Sequence, residues 1–271
     1  MENQSIAIER WTSFGSAIGD LDQIAHDIVA SRPDIMVAGG GAPYAQALIR
    51  ATSTIPIVFG SQDPVGFGLV TNLAHPGRNV TGSASTGSAE VVGKQLQLLT
   101  QAVPGLLSVA YCQPAIEAEP YLPHLIGSAQ ALGVTPIPVT WDELTTDDSY
   151  VNAFAGMASL KPGAVIVGQN AGLSARTALI AKLSLAARLP SIASVVGYPQ
   201  AGGLMSYGGN VPESFARMAS YVVRILNGAK PGDLPVEQPS VFDLVLNAGT
   251  ARSLGLTLPF ALTAQATSII Q

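Results

Sequence analysis

Three clusters of glycine and polar residues, each following a short β-rich run, carry the side chains best suited to grip a small charged molecule. The first is Gly39-Gly40-Gly41-Ala42, ahead of Pro43. Proline is favoured at the first position of a helix, and the free N–H groups of a helix start attract an anion such as a carboxylate. Gly40, Gly41 and Ala42 are therefore candidates for holding a ligand carboxylate; a tight strand-to-helix turn is the plainer reading of the same residues. They are not a phosphate loop, because no Lys followed by Ser or Thr stands at the required spacing. The second cluster, Ser61-Gln62-Asp63, offers a hydroxyl, an amide and a carboxylate in sequence. Asp63 suits an ammonium group, or caps the turn that follows it. Ser85 and Thr86 add hydroxyls to the same region, or cap a helix beginning near Ser88. In the third cluster, Gly168-Gln169-Asn170, the amide of Asn170 is both donor and acceptor and fits a zwitterion or an amide. Tyr198, within Gly197-Tyr198-Pro199-Gln200, offers a ring for stacking on a ligand or for packing inside the fold.

Nothing comparable speaks for turnover. His26, His75 and His124 are scattered, and neither H-E-x-x-H, a Cys/His cluster nor a G-x-S-x-G elbow occurs. Glu117 and Glu119, two apart, read as solvated loop residues and not as an acid/base pair. Cys112 is alone, which excludes an intrachain disulfide and a multi-cysteine metal cage. It ends the apolar run Leu106–Tyr111 and reads as an inert buried thiol. No metal and no cofactor is expected.

The elements that must position these groups alternate between two periods. Ser5–Trp11 alternates like a strand, and Leu21, Ile24, Ala25, Ile28 and Val29 then fall on one helical face. Strands are expected at Asp34–Ala38 and Ile55–Phe59, with helices at Pro43–Thr52 and Glu90–Val103. After Pro104-Gly105 the rhythm restarts. Strands are read at Leu107–Tyr111, Val134–Val139, Ala164–Val167 and Ser191–Val196, and helices at Tyr121–Leu132, Ser149–Leu160 and Leu173–Arg188. The prolines in Val134–Val139 put that strand near a sheet edge. A strand at Gly203–Gly208, a helix at Glu213–Leu226 and a last strand at Val241–Leu246 complete the chain. Such βα repeats build an α/β fold of parallel sheets covered by helices on both faces, with ligands bound beyond the carboxyl ends of the strands.

With 271 residues, 48% apolar and 11% charged, the chain buries a sizeable core as two modest lobes. A net charge of −5 with 13 dispersed Lys and Arg gives no stripe that would neutralise phosphates, so nucleic acid is not an expected partner. No window reaches the ~20 apolar residues of a membrane span, and the first residues lack the basic and apolar regions of a signal peptide.

Several strings have a family likeness. Ile55–Phe59 leads into Asp63-Pro64-Val65-Gly66-Phe67-Gly68-Leu69-Val70, then Pro76-Gly77-Arg78-Asn79-Val80-Thr81-Gly82. Later come Gly202–Gly208, Arg224–Pro231, Asp233–Pro239 and Leu254–Pro259. Over nearly its whole length the chain resembles the extracytoplasmic substrate-binding proteins of ABC transporters, in the branch that includes tryptophan- and tyrosine-type binders. The resemblance implies a type I periplasmic binding fold, with two doubly wound lobes joined by hinge strands. Residues 1–106 and 206–240 would form one lobe, and 107–205 and 241–271 the other. It also implies a monomer that closes on an amino-acid-like ligand and delivers it to the permease subunits of an importer. Met1–Ile6 resembles the interior of the family's G-Y-x-E-[GN]-Q-N-[IV] turn. A signal and one βα unit are thus expected to be missing, leaving strand edges and apolar faces uncovered. A cytosolic sensing core of the kind found in transcription regulators, an enzyme on the same scaffold, and a non-functional remnant are the alternatives.

Overall fold

A strand buried on both faces needs apolar side chains at every position, whereas the helices over it need one apolar stripe. The chain meets both demands in turn. The structure, a computed structural model, describes residues 6–11, 20–85, 89–141 and 146–271, without the side chains of Ile116, Ala171 and Val211. The first elements are α1 (Asp20–Ala30), β1 (Met36–Ala38), α2 (Ala42–Ala51), β2 (Ile57–Ser61), β3 (Val80–Ala84) and α3 (Val91–Ala102). They are followed by β4 (Ser108–Pro114), α4 (Ala115–Ala118), α5 (Leu122–Leu132), β5 (Thr135–Trp141), α6 (Asp147–Leu160), β6 (Ala164–Val167), α7 (Ala171–Ala186) and β7 (Ser191–Ala193). The last are β8 (Met205–Gly209), α8 (Val211–Leu226), β9 (Phe242–Asn247), α9 (Ala248–Ser253), α10 (Phe260–Thr263) and β10 (Ser268–Ile270).

The strands form two sheets. One is three-stranded, in the order β1-β2-β3, and the other seven-stranded, in the order β10-β9-β8-β7-β6-β4-β5. Every pairing is parallel except β8 with β9. Period-two alternation divides each sheet between two cores. In β2, Ile57 and Phe59 face the core beneath α1 and α2, while Val58 meets Met218, Tyr221 and Ile225 of α8. In β6, Ala164 and Ile166 face one way and Val165 and Val167 the other, toward Tyr150, Phe154 and Met157 of α6. The proline-bearing β5 lies at the edge of the large sheet, as its missing N–H groups require.

Four features depart from expectation. Ser5 lies outside the described residues, Ile6 forms a single β-bridge, and residues 7–11 are irregular in place of the expected strand. An alternating pattern makes a strand only where a neighbour completes the ladder, and among the described strands β1 is laddered to β2. The strand β3 is unexpected; Gly82 and Ser83 hid it, yet it pairs with β2 from Val80 to Ala84. The restart read at Pro104-Gly105 also comes too late. The helix before it, α3, already packs on α5 and on β6 and β7 of the large sheet. Likewise β8 belongs to the large sheet, and only from α8 does the chain lie on β2 and β3 again.

The links between the sheets run side by side. A Cβ on Gly209, at the end of β8, would lie 2.5 Å from the Ser85 carbonyl oxygen and 2.9 Å from Cβ of Pro239. Only glycine permits that approach. Beyond β3, Glu237 continues the small sheet through a parallel bridge to Ser83. On the opposite edge, Val37 of β1 is 53% exposed. It opens on a largely apolar groove that lies between residues 6–11, α1 and α8 and runs on to Gly40, Gln62, Ser85 and Gln169, about 1590 Å³ in all.

Candidate functional site

The carboxyl ends of the two sheets face each other. After β1, Gly39-Gly40-Gly41 turns into α2. Gly41 has φ 102°, a left-handed value natural to glycine. Ala42 is fully buried, and Pro43 occupies the first turn of α2. The cap has no side-chain hydrogen bond, so the leading N–H groups of α2 point toward the cleft without a side-chain acceptor from the cap. After β2 come Ser61 and Gln62, both buried, and after β3 comes Ser85.

The facing residues lie after β4 and β6. Gln113 near the end of β4 and Glu117 on the short helix α4 are buried, and Gln169 and Asn170 follow β6. The two sides are hydrogen-bonded to each other. Gln62 Nε2 donates to the carbonyl of Gln169 at 3.1 Å, and Gln169 Nε2 donates to Ser85 Oγ at 3.3 Å. Ser85 Oγ in turn donates to the Ser61 carbonyl at 3.3 Å. Phe67 and Tyr121 meet across the same boundary with ring centroids 6.2 Å apart. Inside it, Ser61 Oγ, Gln113 Nε2, Glu117 Oε2 and Gln169 Oε1 are buried and have no hydrogen-bond partner. Buried polar atoms are nearly always partnered, so these four are free to accept or donate further hydrogen bonds.

The residues expected from sequence are only partly brought together. Gly40, Gly41, Ala42, Ser61, Gln62 and Ser85 gather at the cleft, and Thr86 lies outside the described residues. Asp63 spends one carboxylate oxygen on the turn, accepting from the Gly66 N–H at 2.9 Å, which is the capping alternative. Asn170 reaches the site but is committed within it. Its Oδ1 caps α7 by accepting from the Leu173 N–H at 3.1 Å, and its Nδ2 donates to Tyr150 Oη and to the Gly168 carbonyl. Tyr198 is buried in the core of the large sheet, where its hydroxyl donates to Ser191 Oγ at 2.7 Å and pairs with Ser184 Oγ. It packs the fold and does not face the cleft, and burial pushes its hydroxyl up to about 12. Cys112 is likewise buried, its thiol raised to about 12 by desolvation.

Glu117 corrects the reading of a solvated pair. Glu119 is exposed, but Glu117 is 4% exposed, and burial raises its carboxyl to about 8. The signal that would have found Gln113 and Glu117 was available. They follow a strand's carboxyl end just as Ser61 and Gln62 do, but Pro114 and Pro120 made the segment read as loop. Among the described residues, no group of three His, Cys, Asp or Glu could hold a metal, and no helix is long and apolar enough to cross a membrane.

Residues 2–270 match the family described as ABC transporter substrate binding protein. A tyrosine-binding protein of Clostridioides difficile (strain R20291) is 25% identical over 236 residues, which are 86% of this chain and 66% of that relative. Among solved structures, a conserved domain protein from Vibrio cholerae O1 biovar El Tor is 29% identical with a TM-score of 0.87, covering 99% of this chain and 88% of the other. The ABC domain in complex with L-Trp from Streptococcus pneumonia has a TM-score of 0.86 at 23% identity, covering 99% and 89%. At that identity the likeness shows a shared fold.

Proposed function

This chain belongs to the ABC transporter substrate-binding protein family, and from that premise we propose that it captures an aromatic or related amino acid between its two sheets. The observation that carries this reading is the facing pair of strand ends, with four orphaned polar atoms between them. The relative's tyrosine and the neighbour's L-Trp support an α-amino acid as the ligand class.

In this reading the chain is a non-enzymatic monomer that works outside the cytoplasm and passes its ligand to the permease subunits of an importer. One lobe is built around the small sheet and includes α8; the other is built around the large sheet and includes α3. The crossings at Ser85, Gly209 and Pro239 act as the hinge. Gly40, Gly41, Ala42, Ser61, Gln62 and Ser85 from one side meet Gln113, Glu117 and Gln169 from the other. A ligand that touches both sides binds the closed state more tightly and shifts the population toward it. The bonds from Gln62 to Gln169 and from Gln169 to Ser85 support closure of this kind, since they join the two sides directly.

A thermal-shift screen against the standard amino acids tests the function. A native-state ligand at about a hundred times its Kd adds about 2.7 kcal/mol, which for a chain of this size raises Tm by roughly 5–10 °C. A rise confined to a few amino acids, with L-tyrosine and L-tryptophan foremost, is the expected result. A clean cooperative melt that no amino acid moves would sink it.

A further inference from the structure

Glu117 sits in an unusual place for a carboxyl group. It lies on the four-residue helix α4, directly after Pro114 closes β4. Its Oε2 is buried without a hydrogen-bond partner, and its side chain is 4% exposed. A Cβ built on Gly41 would lie 3.8 Å from Glu117 Oε1 and 3.6 Å from the amide of Gln62. The carboxyl therefore borders the start of α2, where a helix N-terminus favours an anion. Two unlike demands meet there, one for a negative group and one for a donor to Glu117. A molecule whose carboxylate and ammonium are joined through a single carbon meets both at once.

Resting on the reading of the cleft as an amino-acid site, we propose that Glu117 is the counter-charge for the ligand's α-ammonium group, while the start of α2 at Gly41 receives its α-carboxylate. Ser61 Oγ, Gln113 Nε2 and Gln169 Oε1, three further buried atoms without partners among the described residues, stand at the surrounding strand ends. An unmade hydrogen bond of this kind costs about 1–3 kcal/mol, so a ligand that completes several of them recovers much of its own desolvation.

The assignment has a proton consequence. Burial holds the Glu117 carboxyl protonated at neutral pH in the free protein, with its value raised to about 8. An ammonium in contact favours the carboxylate. Capture then transfers the Glu117 proton to solvent and leaves an ion pair, with charge and protons balanced. The groups facing Glu117 do not supply that charge. Tyr111 and Cys112 of β4 are raised by burial and neutral, and so is Tyr150; Tyr121 follows α4. Strand β5 bears no titratable side chain, and α2 bears Tyr44 and Arg50, the latter paired with Asp22 on the exposed side.

Isothermal titration of the full chain tests this, using the standard amino acids, L-tyrosine and L-tryptophan first, and the arylpropionates that lack the amino group. Titrations run between about pH 6 and about pH 8, in buffers of unlike ionisation enthalpy. The wild type is expected to release close to one proton per amino acid at the acid end, with affinity rising toward tenfold per pH unit. Glu117→Gln should weaken amino-acid binding roughly 100-fold, abolish both the proton release and the pH slope, and leave arylpropionate binding nearly unchanged. If Glu117→Gln binds amino acids with the wild-type affinity and slope, the assignment of Glu117 is wrong while the amino-acid reading stands. Wild-type protein that binds no amino acid overturns both. Should the variant fail to fold, wild-type binding without proton release is enough to reject the role of Glu117.

Discussion

The two sheets differ in how completely they are closed. The seven-stranded sheet is covered on both faces, by α3 and α5 on one side and α6 and α7 on the other, and every residue of β6 is buried. The three-stranded sheet has helices over both faces but an exposed residue, Val37, on its β1 edge, where it meets an apolar groove. Both sheets send polar residues to the same cleft. The cleft thus joins a well-buttressed wall to a looser one, and closure is expected to move the small sheet's side against a nearly rigid partner.

The largest effect that would test this contrast lies in the core of the large sheet. Ile166→Ala removes a fully buried side chain from the middle of β6 and should cost about 2–5 kcal/mol, whereas Val37→Ala at the open edge should cost well under 1 kcal/mol. Urea unfolding of both variants measures the difference, and equal losses would mean that the edge is covered in solution. Next comes the hinge. Gly209→Val drives a side chain into the Ser85 carbonyl and Pro239; a loss of roughly 2–4 kcal/mol is expected, together with weakened ligand binding. A variant that melts and binds like the wild type would remove the crossing from the mechanism.

Hydrogen exchange gives a finer reading. Amides of β1 and α1 should exchange faster than those of β4 and β6, because edge and weakly covered elements open at lower free energy. Uniform protection would abolish the contrast.

A further expected effect is one of pH. A carboxyl with a raised folded value favours the folded state most fully below its unfolded value, and that advantage is lost as pH rises through about 8. Without ligand, Tm should therefore fall between about pH 5 and about pH 8 by on the order of 10 °C. Glu117→Gln should flatten that part of the profile. A persisting slope in the variant would place its source elsewhere.

Much of this architecture could be read along the chain. The apolar runs of β4, β6 and β7 bury both faces of a sheet, and the helical stripes of α3 and α8 were plain. The prolines of β5 announced an edge. The glycine turn before α2 and the polar ends of β2 and β6 located one mouth of the site on each sheet. Strand β3 was hidden because Gly82, Ser83 and Ala84 are poor β markers; pairing with β2 on one side and with Glu237 beyond makes it a strand.

Local residue patterns therefore determined the kinds of elements, their order, and the strand ends at which polar groups collect, because period and turn chemistry are properties of neighbours in sequence. Burial and pairing at a distance lay beyond them. Tyr198 and Asn170 look like ligand-binding residues in sequence, yet their hydrogen-bonding groups are taken by Ser191, Ser184, Tyr150 and Leu173, from three to twenty positions away. Glu117 looks like a solvated loop acid, and it became a buried carboxyl only when α4 packed against α2. Desolvation depends on everything that surrounds a group in space, and no local pattern records it.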